Sequence, residues 1–163
     1  MIDDTDIKLL ASTGGLGGAI TATELVDNTI ANLFDNVSGA EALAGDTEYR
    51  AFYIKNTHAT LTWKGVKFWI ESNTTSTDDT WTVALDLAGV ISTGAGDDIA
   101  DESTAPSPTL TFVTAANEGA CLTIGDMAPG TYILIWIKRV VNSSAAAKSG
   151  NAGTLAWIGD SEE

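Results

Sequence analysis

A chain of 163 residues, 44% of them hydrophobic and five of them Trp, is long enough for one domain with a real core and too short for two. Its 22 acidic and 8 basic residues give a net charge of −14, and no basic residue occurs from Phe68 to Ile137. Such a surface repels phosphate backbones and anionic bilayers, which argues against nucleic acid and against a membrane as partners.

The first twenty residues do not have the pattern of a core element. Ile7, Leu9 and Leu10 form a small apolar patch, and Gly14-Gly15-Leu16-Gly17-Gly18 then interrupts any regular structure. Fixing four glycines costs much conformational entropy, so residues 1–20 are expected to be a flexible arm that orders only on a neighbour. Ile7, Leu9, Leu10 and Leu16 would be its anchors at a protein interface. A dinucleotide loop is the competing reading, but Ile20 stands where the third glycine belongs and no Lys-Ser/Thr follows. The opening MIDDTD lacks the basic and apolar regions of a signal peptide, and the expectation is synthesis in a cytoplasm.

Thr21 with Glu24 makes a capping box, and Val26, Ile30, Leu33 and Phe34 keep helical spacing. Asn28, Thr29 and Asn32 are weak helix formers, so the pattern predicts at most a short helix or an irregular extended segment ending at Asp35. Asn36–Ala44 is read as a connecting loop. The runs Glu48–Lys55 and Leu61–Ile70, split by Asn56-Thr57-His58, predict two adjacent antiparallel strands. Strict alternation puts Val66, Phe68 and Ile70 on one face of the second run and Trp63, Lys67 and Trp69 on the other.

Trp81, Val83, Leu85 and Leu87 alternate with smaller or polar residues and predict a half-buried strand. Ala88–Pro108 is long, glycine-rich and acidic, the kind of loop that is either functional or an outward excursion. Leu110–Val113 and Cys121–Ile124 are predicted short strands, and DMAPG at Asp126–Gly130 a turn. Thr131–Val141 is apolar on both faces until Lys138-Arg139, which predicts a central strand covered on each side. Thr154–Ile158 is a last strand. Many short strands without βαβ alternation predict an all-β fold, an antiparallel β-sandwich or jelly roll spanning residues 21–163 as a single domain behind the arm.

No residue pattern selects a catalytic centre, and the chain is expected not to be an enzyme and to need no cofactor. Asp97, Asp98, Asp101 and Glu102 offer oxygens to calcium, but their spacing is not that of an EF-hand and a solvated acidic loop is the simpler reading. His58 stands alone in a polar turn, away from any zinc or triad partner. Cys121, the one cysteine, lies in an apolar run as a small hydrophobe. Among so many carboxylates nothing picks out a glycosidase pair. The sharper signal is aromatic: Trp63, Trp69 and Trp136 fall on outward strand faces, where indoles meet a protein partner, stack on sugars, or are covered by the chain's own arm and loops.

LGGAI at Leu16–Ile20, NLFDNVSGAEALAGDTEYRAFYIKN at Asn32–Asn56 and PGTYILIWIKRVV at Pro129–Val141, in this order, resemble a group of small structural proteins of tailed bacteriophages and related viruses. The resemblance implies a virion component that decorates or cements the capsid. It further implies homotrimers on the major capsid protein and an arm reaching across neighbouring shell subunits. Neck and tail roles fit the same resemblance, and a carbohydrate-binding β-sandwich using the Trp face is the alternative from another class.

Overall fold

The computed structural model describes residues 1–26 and 32–161. Its elements in chain order are β1 (Ile7–Ser12), β2 (Ile20–Glu24), α1 (Gly39–Ala44), β3 (Asp46–Asn56), β4 (Trp63–Ser72), β5 (Asp79–Leu85), β6 (Leu122–Met127), β7 (Tyr132–Val141) and β8 (Thr154–Ser161). A five-stranded sheet runs β2-β1-β3-β7-β5, a three-stranded sheet runs β6-β4-β8, and both are antiparallel throughout. The expected all-β sandwich is therefore what the chain forms.

Alternation in β3 and β7 explains the layers. Phe52, Ile54, Ile133, Ile135 and Ile137 turn toward the smaller sheet and meet Val66, Phe68 and Ile70, with Phe52 and Phe68 rings 5.9 Å apart. The intervening residues Ala51, Tyr53, Leu134 and Trp136 point the other way into a second core. That outer core is closed by the chain's own loops through Leu16, Ile91, Ile99, Leu110 and Phe112. The predicted central strand covered on each side is thus β7, and Ala88–Pro108 supplies much of its lid instead of projecting outward.

Several expectations need correction. The segment 1–20 is not a free arm: β1 pairs with β3 at five consecutive positions from Ile7↔Asn56 to Ala11↔Phe52. The physical reason is that β3 has two edges of backbone donors and acceptors, β7 satisfies one, and β1 satisfies the other. The glycines then form the tight β1–β2 connection, with Gly14, Gly15, Gly17 and Gly18 all at positive φ.

β3 and β4 are not hairpin neighbours; the chain crosses from one sheet to the other between them. Asn56 fixes that crossing, since its buried side-chain amide donates to the Leu61 and Met127 carbonyls, both at 2.9 Å. His58 Nδ1 accepts from the Thr60 and Leu61 amides at 3.1 and 2.9 Å, so the lone histidine shapes the loop.

Helix and strand also trade places early in the chain. Residues 20–24 form β2, with Thr21 Oγ1 donating to the Ala11 carbonyl at 2.8 Å in place of the expected capping box; Ile30 lies outside the described residues. The capping box is one loop further on, where Glu41 N donates to Ser38 Oγ at 3.2 Å and Ser38 N to Glu41 Oε2 at 2.6 Å, starting α1 inside the expected loop. Leu110–Val113 is not a strand; Val113 alone forms a bridge to Val83.

Candidate functional site

The three tryptophans singled out from the sequence are all inside. Trp63 is 3% exposed because a bulge intervenes: Gly65 adopts φ +59°, and the register of β4 shifts between Trp63 and Val66 against β6 and between Lys64 and Lys67 against β8. That extra residue rotates Trp63 onto the same side as Val66, Phe68 and Ile70, overriding strict alternation. Gly159 on β8 makes room for it, since a Cβ there would run into the Trp63 ring. Trp69 keeps the opposite face, yet it is only 9% exposed and its Nε1 donates to Glu71 at 2.5 Å. Trp136 is 0% exposed, in the core beneath the loop layer. Ile7 is buried in the main core, and Leu9, Leu10 and Leu16 are half-buried against the two cores. The outward aromatic face and the anchor set are therefore interior packing of this chain.

Polar groups hold the lid over Trp136. Asp86, itself buried, accepts from Trp136 Nε1 at 3.0 Å, from Asp97 N at 3.3 Å and from Ala88 N at 3.0 Å. Tyr53 OH donates to the Gly18 carbonyl and accepts from Gly96 N at 2.8 Å; burial pushes its phenol up from the usual range, and the Gly96 bond opposes the rise. Gly18 N donates to Asp97 O at 2.9 Å, and Ile99 N to Leu16 O at 3.0 Å. The glycine turn and the acidic loop thus clamp one another across the indole. Burial, then the Asp86 and Asp98 charges, raise the Asp97 carboxyl above its ordinary value.

A second polar cluster lies where the smaller sheet no longer covers the inner face. Arg139 of β7 is paired with Glu48 of β3, donates to the Asp35 carbonyl at 2.9 Å, and stacks 4.7 Å from the Phe34 ring centre. Phe34 in turn packs 5.5 Å from Trp81. Arg50 is paired with Glu102 from the long loop. Asp35, Glu48 and Glu102 each bring a carboxylate oxygen within 4.8 Å of the others. Glu48 is 1% exposed, and its Oε1 has no hydrogen-bond partner among the described residues. Burial raises its carboxyl; Arg139 opposes the rise, and Glu102 and Asp35 add to it. Both arginines of the chain are spent here, two guanidiniums against three carboxylates, and the cluster bolts together β3, β7, the long loop and the Phe34-Asp35 segment.

The four acidic residues weighed for calcium do not converge. Asp97 and Asp98 border the glycine turn, Asp101 Oδ1 accepts from Ser103 N and Thr104 Oγ1, and Glu102 joins the arginines. Cys121 is half-buried beside the main core. Among the described residues, no helix is long and apolar enough to cross a membrane. Residue patterns missed the arginine–carboxylate cluster, because its members lie on four separate segments; Glu102 alone of its carboxylates was singled out, and for calcium.

What fold and geometry define is an antiparallel β-sandwich with a loop layer over its larger sheet. No protein-family model, no curated protein and no solved structure matches the chain.

Proposed function

We propose that this chain is a structural part of a tailed-phage-type virion that acts by binding, as a capsid decoration protein does. One observation carries the reading: the three separate segments with the virion-protein resemblance pack into one unit. Asn32–Asn56 contains β3, Pro129–Val141 contains β7, and these pair at ten consecutive positions in the middle of the larger sheet. Leu16–Ile20 lies on their outer face, with Gly17 against the Trp136 ring and the Gly18 carbonyl on Tyr53 OH. Phe34 and Asp35 close the other side on Arg139. A likeness confined to mutually packed residues reflects a shared scaffold better than three chance matches do.

The docking elements differ from those expected. The anchors Ile7, Leu9, Leu10 and Leu16 and the indoles of Trp63, Trp69 and Trp136 are packed against the cores, and the same burial removes these indoles as a sugar-stacking platform. Shell contact falls to the exposed surface, where the strong negative charge steers the protein toward a basic patch on the major capsid protein. Mass spectrometry and cryo-electron microscopy of gradient-purified particles test this. The expected result is a stoichiometric chain with density on the outer shell. Density at the neck or tail would move the protein to that role, and absence from purified particles would overturn the virion reading.

A further inference from the structure

The two sheets present four edge strands, and three of them are blunted in the ways that natural sheets avoid accretion. β2 is five residues long and meets β1 in only two spaced pairs. β5 has its free edge occupied: the Asn73 side chain accepts from Trp81 N at 2.9 Å and donates to Trp81 O at 2.8 Å, while Val113 exchanges two 2.9 Å bonds with Val83. β6 is broken at Gly125, with φ +91°, where its register shifts.

β8 has none of these devices. Its eight residues, TLAWIGDS, contain no Pro, Lys or Arg, and the irregularities of the β4–β8 ladder are extra residues in β4, leaving β8 straight. Thr154, Ile158 and Asp160 along it are exposed, Ile158 to 46%, while Leu155, Ala156 and Trp157 are half-buried against the main core. Among the described residues, no hydrogen bond from outside the β4 ladder reaches its backbone. A row of open donors and acceptors flanked by Ala156 and Ile158 is a template for another strand.

We propose that this strand is β8 of a second copy, paired antiparallel about a two-fold axis at Trp157, so that the two three-stranded sheets become one continuous sheet. Charge placement selects a second copy. The strand carries one charge, Asp160, near its end. Antiparallel pairing about Trp157 sets Asp160 opposite Thr154 and Ala156 opposite Ile158, so the two carboxylates lie at opposite ends of the seam. Directly opposite residues share a face, which keeps all apolar side chains on their present sides. A two-fold contact also closes on itself and leaves no free edge for a third copy. The charge of −14 on each copy opposes approach at long range, and salt screens that repulsion.

Sedimentation of the full chain across concentration and ionic strength tests the pairing, with two variants at exposed positions. The wild type is expected to dimerise, more tightly in 0.5 M than in 0.05 M salt. Thr154→Lys, which places an ammonium opposite Asp160 twice per dimer, is expected to tighten it about fivefold. Ile158→Glu, which brings two new carboxylates together across the axis, is expected to weaken it at least about tenfold. A wild type that stays monomeric at every salt overturns the proposal, as does association that Thr154→Lys leaves unchanged. These outcomes do not depend on where the chain sits in a particle.

Discussion

Replacing Gly17 by alanine separates a loose glycine arm from a turn clamped on the core. Gly17 has φ +82°, a region that costs an L-residue roughly 1–2 kcal/mol. Its added Cβ would fall on the Asp97 carbonyl and at 2.8 and 2.9 Å from two carbons of the Trp136 ring. Neither neighbour yields easily, because Trp136 is held by Asp86 and Asp97 O accepts from Gly18 N at 2.9 Å. Overpacking of this kind costs about 1–3 kcal/mol, and losing that hydrogen bond about 1 kcal/mol more. The internal control is Gly14→Ala, at φ +63° with nothing among the described residues within 4 Å of its Cβ, which bears the conformational cost. Urea unfolding followed by Trp fluorescence should therefore place Gly17→Ala about 2–4 kcal/mol below Gly14→Ala, with Tm lower by roughly 4–16 °C. If the two variants agree within about 0.5 kcal/mol, the turn does not rest on Trp136 and the clamp is wrong.

Deleting residues 1–12 removes β1 and exposes an edge of β3; the truncated chain is expected to lose cooperative unfolding and to aggregate, whereas removal of a detachable arm would leave the melting curve in place. The buried carboxyls of Glu48 and Asp79 are both raised above their ordinary values, chiefly by burial. The folded state then holds those protons more tightly than the unfolded chain, so their contribution to stability is greatest on the acid side. It is lost as pH rises from the ordinary carboxylate range through the raised values. Asp79→Asn is accordingly expected to gain more stability at neutral pH than at pH of about 4, read from urea midpoints at both; a gain of the opposite order would refute the burial argument.

How much of this was legible varies with how local the cause is. β5 follows from two-residue alternation, and the double apolar face of Tyr132–Val141 foretold a strand with cover on both sides. What covers it was only half legible: Leu110 and Phe112 stand out as an apolar run that reads, wrongly, as a strand, whereas Ile91 and Ile99 are isolated in a loop whose composition is otherwise that of solvated coil. Chain adjacency suggested that β3 and β4 pair, and only the buried Asn56 reveals the crossing. Trp63 was assigned to the wrong face although Gly65 stood inside the run, and a glycine within a strand is a bulge signal. Ser38 and Glu41 announced α1 as plainly as Thr21 and Glu24 announced a helix start where the strand β2 stands; tertiary pairing decided between two equal local patterns. The arginine–carboxylate bolt was out of reach, since proximity of Asp35, Glu48, Glu102 and Arg139 is a product of topology alone.

The pairing of β3 with β7 sets the timetable of synthesis. β3 emerges from the ribosome early, yet the strand that completes its ladder follows only after three other strands and the chain's longest loop. Until Val141 has been made, the central hydrogen bonds of the larger sheet have no counterpart, and the glycine turn has no Trp136 to settle upon. Completion of the larger sheet therefore waits on residues made late, and a topology so rich in distant pairings is expected to fold more slowly than helical proteins of similar size.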